Sequence, residues 1–132
     1  MRVATCSCGQ LQIRLSGGLQ GVGVCHCLAC QRRTGSAFAT LASFSAPFEI
    51  VGSASRFTRI GDQGSSFTFS FCPHCGTNLF HQEEGEVDSV AVAVGCFADP
   101  DFPAPEVATY DARRHQWLTL APGIAVFERD PG

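Results

Sequence analysis

The sequence predicts a mostly β protein, and three observations carry that prediction. Short stretches alternate polar and apolar residues, no stretch holds a helical period, and clusters of glycine and serine separate the alternating stretches. Gln10 to Leu15 alternates as a half-buried strand does. Ser66 to Phe71 does the same and places Phe67, Phe69 and Phe71 on one face. Ala37 to Phe44, Phe48 to Val51, Arg56 to Ile60 and Val87 to Val94 read as further strands. Gln116 to Leu120 and Ile124 to Phe127 are expected to close the fold. Turns fall at Ser16-Gly17-Gly18, at Gly52-Ser53 and over Gly61 to Ser66. Leu28 to Thr34 lacks strand character and suits a single helical turn. Ala98 to Pro105 holds three prolines and two aspartates and is expected to be a loop.

Composition narrows the class of protein. A chain of 132 residues that is 45% hydrophobic can bury a core, so one domain over residues 1–132 is expected and disorder is excluded. No apolar run is long enough to span a bilayer, and none has signal-peptide length. The expected location is cytoplasmic, where thiols stay reduced. A net charge of -3 offers no electrostatic footprint for nucleic acid, and no membrane partner is expected. All nine positive side chains are arginines. The chain therefore has no lysine for Schiff-base chemistry or as a general base, and its arginines bind carboxylates without shuttling protons.

Eight cysteines carry the chemistry. Seven fall in tight clusters: Cys6-Ser-Cys8, Cys25-His-Cys27-Leu-Ala-Cys30 and Cys72-Pro-His-Cys75, with Cys96 alone. Cysteines one or three positions apart can turn their sulfurs to one point, as a tetrahedral zinc ion requires. Two clusters of two, Cys6 and Cys8 with Cys72 and Cys75, make a closed structural site. Gly76 lets the second knuckle reverse tightly. His74 is flanked by two ligands and is expected at the solvent side. Inter-knuckle disulfides or inert thiols are the plain alternative, which the paired spacing disfavours.

The cluster of three offers Cys25, Cys27 and Cys30, or two of these with His26. In an extended segment His26 points away from its flanking cysteines, which favours the three sulfurs as ligands of a second zinc ion. The fourth position is left for water, a substrate or Cys96. Three thiolates weaken zinc as a Lewis acid toward water but suit it to hold an incoming thiol as a thiolate. The implied chemistry is sulfur attack on a small electrophile, with His26 as the nearest titratable proton donor. Gln31, Arg32 and Arg33 follow the cluster and are candidates for binding the carboxylates of an anionic thiol such as glutathione; the alternative is a solvated basic turn.

These residues together resemble the glutathione-dependent formaldehyde-activating enzymes. The resemblance rests on Cys6-Ser-Cys8-Gly9, on the segment from Cys25 to Phe38, on Phe71-Cys72-Pro-His-Cys75-Gly76-Thr77, on Gly95-Cys96-Phe97-Ala98-Asp99-Pro100 and on a late tryptophan, Trp117. It implies a β-tent fold of small packed antiparallel sheets. It also implies two zinc ions, structural on Cys6, Cys8, Cys72 and Cys75, and catalytic on Cys25, Cys27 and Cys30. The activity implied is that of a carbon–sulfur lyase joining glutathione to formaldehyde as S-(hydroxymethyl)glutathione. The chain departs from the family at Glu106-Val107, where a His-Ile pair is frequent, and at Cys96, where a small or hydroxyl residue is commoner.

Two other functions fit parts of the pattern. Methionine sulfoxide reductases of one class are similar in fold, and Cys96 would then be a reactive thiol rather than a small buried hydrophobe. A non-catalytic zinc module binding a protein partner requires both ions to be enclosed by protein. His81 and His115 read as polar surface groups, Glu83 to Glu86 as a solvated hairpin tip, and Trp117 as a core anchor.

Overall fold

The computed structural model describes residues 1–129. Its strands are β1 (Arg2–Thr5), β2 (Gln12–Leu15), β3 (Leu19–Cys25), β4 (Ala39–Ser45), β5 (Phe48–Val51), β6 (Ser55–Ile60), β7 (Ser66–Phe71), β8 (Asn78–Glu83), β9 (Ser89–Ala93), β10 (Val107–Thr109) and β11 (Ala125–Val126). One α-helix, α1 (Leu28–Thr34), follows β3, and 3₁₀ turns span Val94–Phe97 and Asp111–Arg113. The strands form a three-stranded sheet, β1-β2-β5, and an eight-stranded sheet, β11-β10-β3-β4-β9-β8-β7-β6. This is the mostly β architecture the sequence predicts. The second sheet is not wholly antiparallel. β10 runs parallel to both β3 and β11, because the proline-rich segment before it returns the chain to the outer edge of β3 in the same sense.

Strand register divides the large sheet into two unlike faces. One row across four strands is Val22, Ala42, Val92 and Phe80, with Phe44 and Val90 paired beside it. All six are buried. They pack with Ala4, Leu11, Ile13 and Leu15 of the small-sheet region into one core that also takes in Cys6, Cys72 and Phe102. The next row runs through Gly21, Ser43, Ala91, His81, Phe69 and Phe57. Leu41 lies between Gly23 and Ala93 on the same side. The middle strands thus show small side chains on this second face, which leaves room for a cleft instead of a second core. Gly52 makes a close approach to Gln10. It sits at φ 100, and a Cβ there would lie 1.9 Å from the carbonyl oxygen of Gln10. No helix among the described residues is long and apolar enough to cross a membrane.

Several expectations fail here for physical reasons. Gln116 to Leu120 is irregular, and the closing strand shrinks to Ala125–Val126. Both lie at the sheet edge, where few partners select for extended backbone. β1, β3, β8 and β10 escaped the sequence reading. β3 carries glycine at alternate positions, Gly21 and Gly23, which hides its period. Trp117 is 69% exposed, so it is not a core anchor. Its indole nitrogen donates instead to the ring of His115 at 3.2 Å.

Candidate metal centres and the cleft beside one of them

The two knuckles converge as their spacing predicts. The Sγ atoms of Cys6, Cys8, Cys72 and Cys75 all lie within 4.8 Å of one another. Cys6 to Cys8 is 3.6 Å and Cys8 to Cys72 is 3.7 Å. A tetrahedral ion with metal–sulfur bonds of ~2.3 Å sets its sulfurs about 3.8 Å apart, whereas a disulfide needs about 2.05 Å. All eight cysteines are unpaired. The spacing therefore suits a four-sulfur metal site and excludes the disulfide alternative.

Hydrogen bonds favour the thiolate at three of these sulfurs, while lost hydration and the neighbouring sulfurs push Cys8 up to about 11. Leu11 N donates to Cys6 Sγ at 3.3 Å, and His74 N and Gln10 Nε2 donate to Cys72 Sγ at 3.4 and 3.0 Å. Thr77 beside Cys75 draws its thiol down to about 5. Gln10 is itself held from the turn after β5, donating to the Ser53 carbonyl and accepting from its N–H. The close approach at Gly52 permits that clamp. The His74 side chain is exposed.

The second cluster arises where β3 ends and α1 begins. Thr109 of β10 pairs with Cys25, which faces the small-residue side of the sheet. Cys27 caps α1, its sulfur accepting the Cys30 N–H at 3.3 Å, and Gly35 ends the helix at φ 70. The three Sγ atoms lie within 4.8 Å of one another, and no other His, Cys, Asp or Glu among the described residues joins them. Cys96 belongs elsewhere. It lies in the 3₁₀ turn over Val94–Phe97 against the hydrophobic core, and burial pushes its thiol up. The trio cannot carry three charges alone. Cys25 and Cys30 share protons with Cys27, which is held far below the ordinary thiol range while they are pushed above it. A divalent cation with soft preference relieves that conflict and lets all three ionise. Zinc fits both clusters, one closed and one with a side left open.

The open side faces a cleft of about 700 Å³. Cys25, Cys27 and Cys30 line it together with Leu41, Phe67, Phe69, His81 and Arg59, and Asp62, Glu83 and Glu128 also line it. The candidates from the sequence divide sharply around this space. Arg33 touches both the trio and the Phe69 ring without lining this cleft, with Nη2 3.7 Å from Cys30 Sγ and its guanidinium 4.8 Å from the Phe69 ring centre. Arg32 is exposed and does not line the cleft. Gln31 is engaged structurally, donating to the carbonyls of His26 and Arg113 and pairing with His115. His26 points to the other side of the strand, as alternation predicts. It is wholly buried, lines no part of the cleft and has neither ring nitrogen hydrogen-bonded. Burial holds it below the ordinary histidine range.

Sequence reasoning missed Arg59 and misplaced His81. His81 is no surface group. Its ring lies 4.7 Å from Phe69, and burial, reinforced by Arg33 and Arg59, lowers it to about 4. The signal was present in the β7 pattern, since strands that flank a phenylalanine row must supply its neighbours. Between pH 6.5 and 4 the unfolded chain binds a proton at this ring that the folded chain refuses. The stability His81 contributes by staying neutral is thus complete above about 6.5 and is lost as pH falls toward 4. Urea midpoints of the zinc-loaded protein should accordingly drop less between pH 7 and pH 5 in His81→Gln than in the wild type.

Comparison with known proteins agrees with this architecture. A crystal structure of a Rhodobacter sphaeroides protein, a structural-genomics target, is similar with a TM-score of 0.56 at 20% identity. The match covers 95% of this chain and 98% of that one, and at such identity it concerns the fold alone. No curated protein matches the chain significantly. The family described as "Glutathione-dependent formaldehyde-activating enzyme" matches residues 1–113, a span that contains both cysteine centres. The chain belongs to that family.

Proposed function

We propose that the cleft binds glutathione, or a thiol like it, and joins its sulfur to formaldehyde or another small electrophile, a carbon–sulfur lyase reaction. The observation that carries this reading is a trio of sulfurs facing a cleft with no fourth protein ligand among the described residues. A zinc ion held by Cys25, Cys27 and Cys30 would lower the pKa of a thiol and keep it nucleophilic at neutral pH.

The remaining work falls to side chains. Arg33, against Cys30, offsets the negative charge that collects there. Leu41, Phe67 and Phe69 give the cleft an apolar wall that limits water around a bound thiol. In forming S-(hydroxymethyl)glutathione, a bond is made between sulfur and the aldehyde carbon, the thiol proton is lost and the new oxygen gains one. His26 is sealed from the cleft and His81 is held neutral, so solvent in the open cleft serves as the proton source. The redox reading is disfavoured because Cys96 is half-buried with its thiol pushed up, the reverse of a reactive cysteine. The module reading is disfavoured by the open side of the second cluster. Reduced thiols held for metal suit a cytoplasmic setting.

The test is to follow hemithioacetal formation from formaldehyde and glutathione with and without zinc-loaded protein. Acceleration over the spontaneous rate is expected, and its absence overturns the formaldehyde assignment. Metal analysis with absorption spectroscopy of a cobalt-substituted sample should show two ions per chain, one of them perturbed by added glutathione.

A further inference from the structure

Near the cysteine trio, positive and polar groups gather around the Phe69 ring. Arg59 of β6 pairs with Phe67, and His81 of β8 pairs with Phe69, so strand register alone puts these four side chains on the cleft face. The Arg59 guanidinium carbon lies 5.2 Å from the Phe69 centroid and that of Arg33 lies 4.8 Å from it. The Nε atoms of both arginines are buried without a hydrogen-bond partner. Among the described residues the ion pairs are Arg14 with Glu49 and Arg114 with Asp111, and neither involves this cluster. Asp62, Glu83 and Glu128 line the same cleft without reaching ion-pair distance of either guanidinium.

The two arginines have different surroundings. Arg33 has Cys30 Sγ at 3.7 Å and Asn78 Oδ1 at 3.4 Å. Arg59 has no hydrogen-bonded partner among the described residues; it rests on Phe69. Leaving a buried N–H donor unpaired carries a desolvation cost, which persists where a ligand removes it. A guanidinium attracted to an aromatic ring keeps its outer N–H groups free for two parallel bonds to a carboxylate. The neutral His81 ring beside it can add one more donor.

We infer that Arg59, assisted by His81, forms a carboxylate-binding subsite that selects an anionic thiol for the cysteine trio in the same cleft. This inference rests on the proposed function for the identity of the thiol. It goes beyond it by assigning specificity to a strand residue distant in sequence from the cysteine motif. Arg33 contacts the sulfur cluster directly, while Arg59 keeps its N–H groups for the carboxylate of the ligand.

Calorimetric titration with S-methylglutathione and its dicarboxylate ester tests it. Neither compound presents a free thiol, so their binding reports the subsite apart from metal–thiolate chemistry. The zinc-loaded wild type should bind the acid about 10–100-fold more tightly than the ester, the range expected for one charge-assisted contact. Arg59→Gln should weaken the acid by a similar factor and leave the ester unchanged, collapsing the discrimination. Arg59→Lys should recover it only in part. Circular dichroism and zinc content must match the wild type, which separates this effect from misfolding. Equal binding of acid by wild type and Arg59→Gln, preserved discrimination in the variant, or no binding of S-methylglutathione by the wild type overturns the inference. Arg59-dependent binding without any acceleration of hemithioacetal formation overturns the formaldehyde reading alone.

Discussion

Cys6→Ser will leave the chain unable to hold its fold. Cys6 is 4% exposed and belongs both to the four-sulfur cluster and to the hydrophobic core. Structural zinc in such sites contributes an apparent ~10–16 kcal/mol, against a total domain stability of about 5–15 kcal/mol. Loss of one ligand removes most of that and places an extra hydroxyl among apolar neighbours. An ion held there would also join the segment after β1 to the β7–β8 connection, reinforcing the hydrogen bonds between Ser7 and Thr77. Far-UV circular dichroism at 37 °C should lack the cooperative unfolding transition of the wild type. A strong chelator should reproduce the effect slowly in the unaltered protein. A cooperative transition within a few degrees of the wild type would show that the ion is dispensable.

Cys30→Ser should separate activity from folding. The second cluster lies on the small-residue face of the large sheet, away from the row formed by Val22, Ala42, Val92 and Phe80. Removing its ion therefore leaves the core intact. Bound zinc should fall from two equivalents to one while the melting transition stays cooperative. Acceleration of hemithioacetal formation should drop at least about a hundredfold, beyond the 10–100-fold typical of residues that merely support a ligand. Retained activity with one zinc ion would remove the trio from the chemistry and end the proposed mechanism.

The cysteine centres were legible in the sequence because ligand geometry is local. Two sulfurs one or three residues apart announce a shared target whatever the rest of the chain does. Alternation at Gln10 to Leu15 and Ser66 to Phe71 was equally plain, and β7 spans Ser66–Phe71 as expected. The partner strands were harder to see. β3 alternates valine with glycine, and β8 mixes Leu79, Phe80 and His81, so neither displays a clean period. The part of the cleft that Arg59 and His81 line was invisible for a different reason. Arg59 acquires meaning only through its register with Phe67, and His81 only through its register with Phe69. Long-range pairing has no signature in the neighbouring letters. The expected grouping of Gln31, Arg32 and Arg33 failed because a helix sends three successive side chains in three directions. Arg33 alone of the three lies against the trio.

Along Val24-Cys25-His26, the strand that feeds the reactive cluster also feeds the interior, by odd and even positions in turn. A single inserted or deleted residue there would exchange the two sets at once, sealing a sulfur among hydrocarbon and exposing a valine to the ligand. Divergence of this chain is thus confined to exchanging letters in place along β3, while changes in length are tolerated only in the turns beyond it.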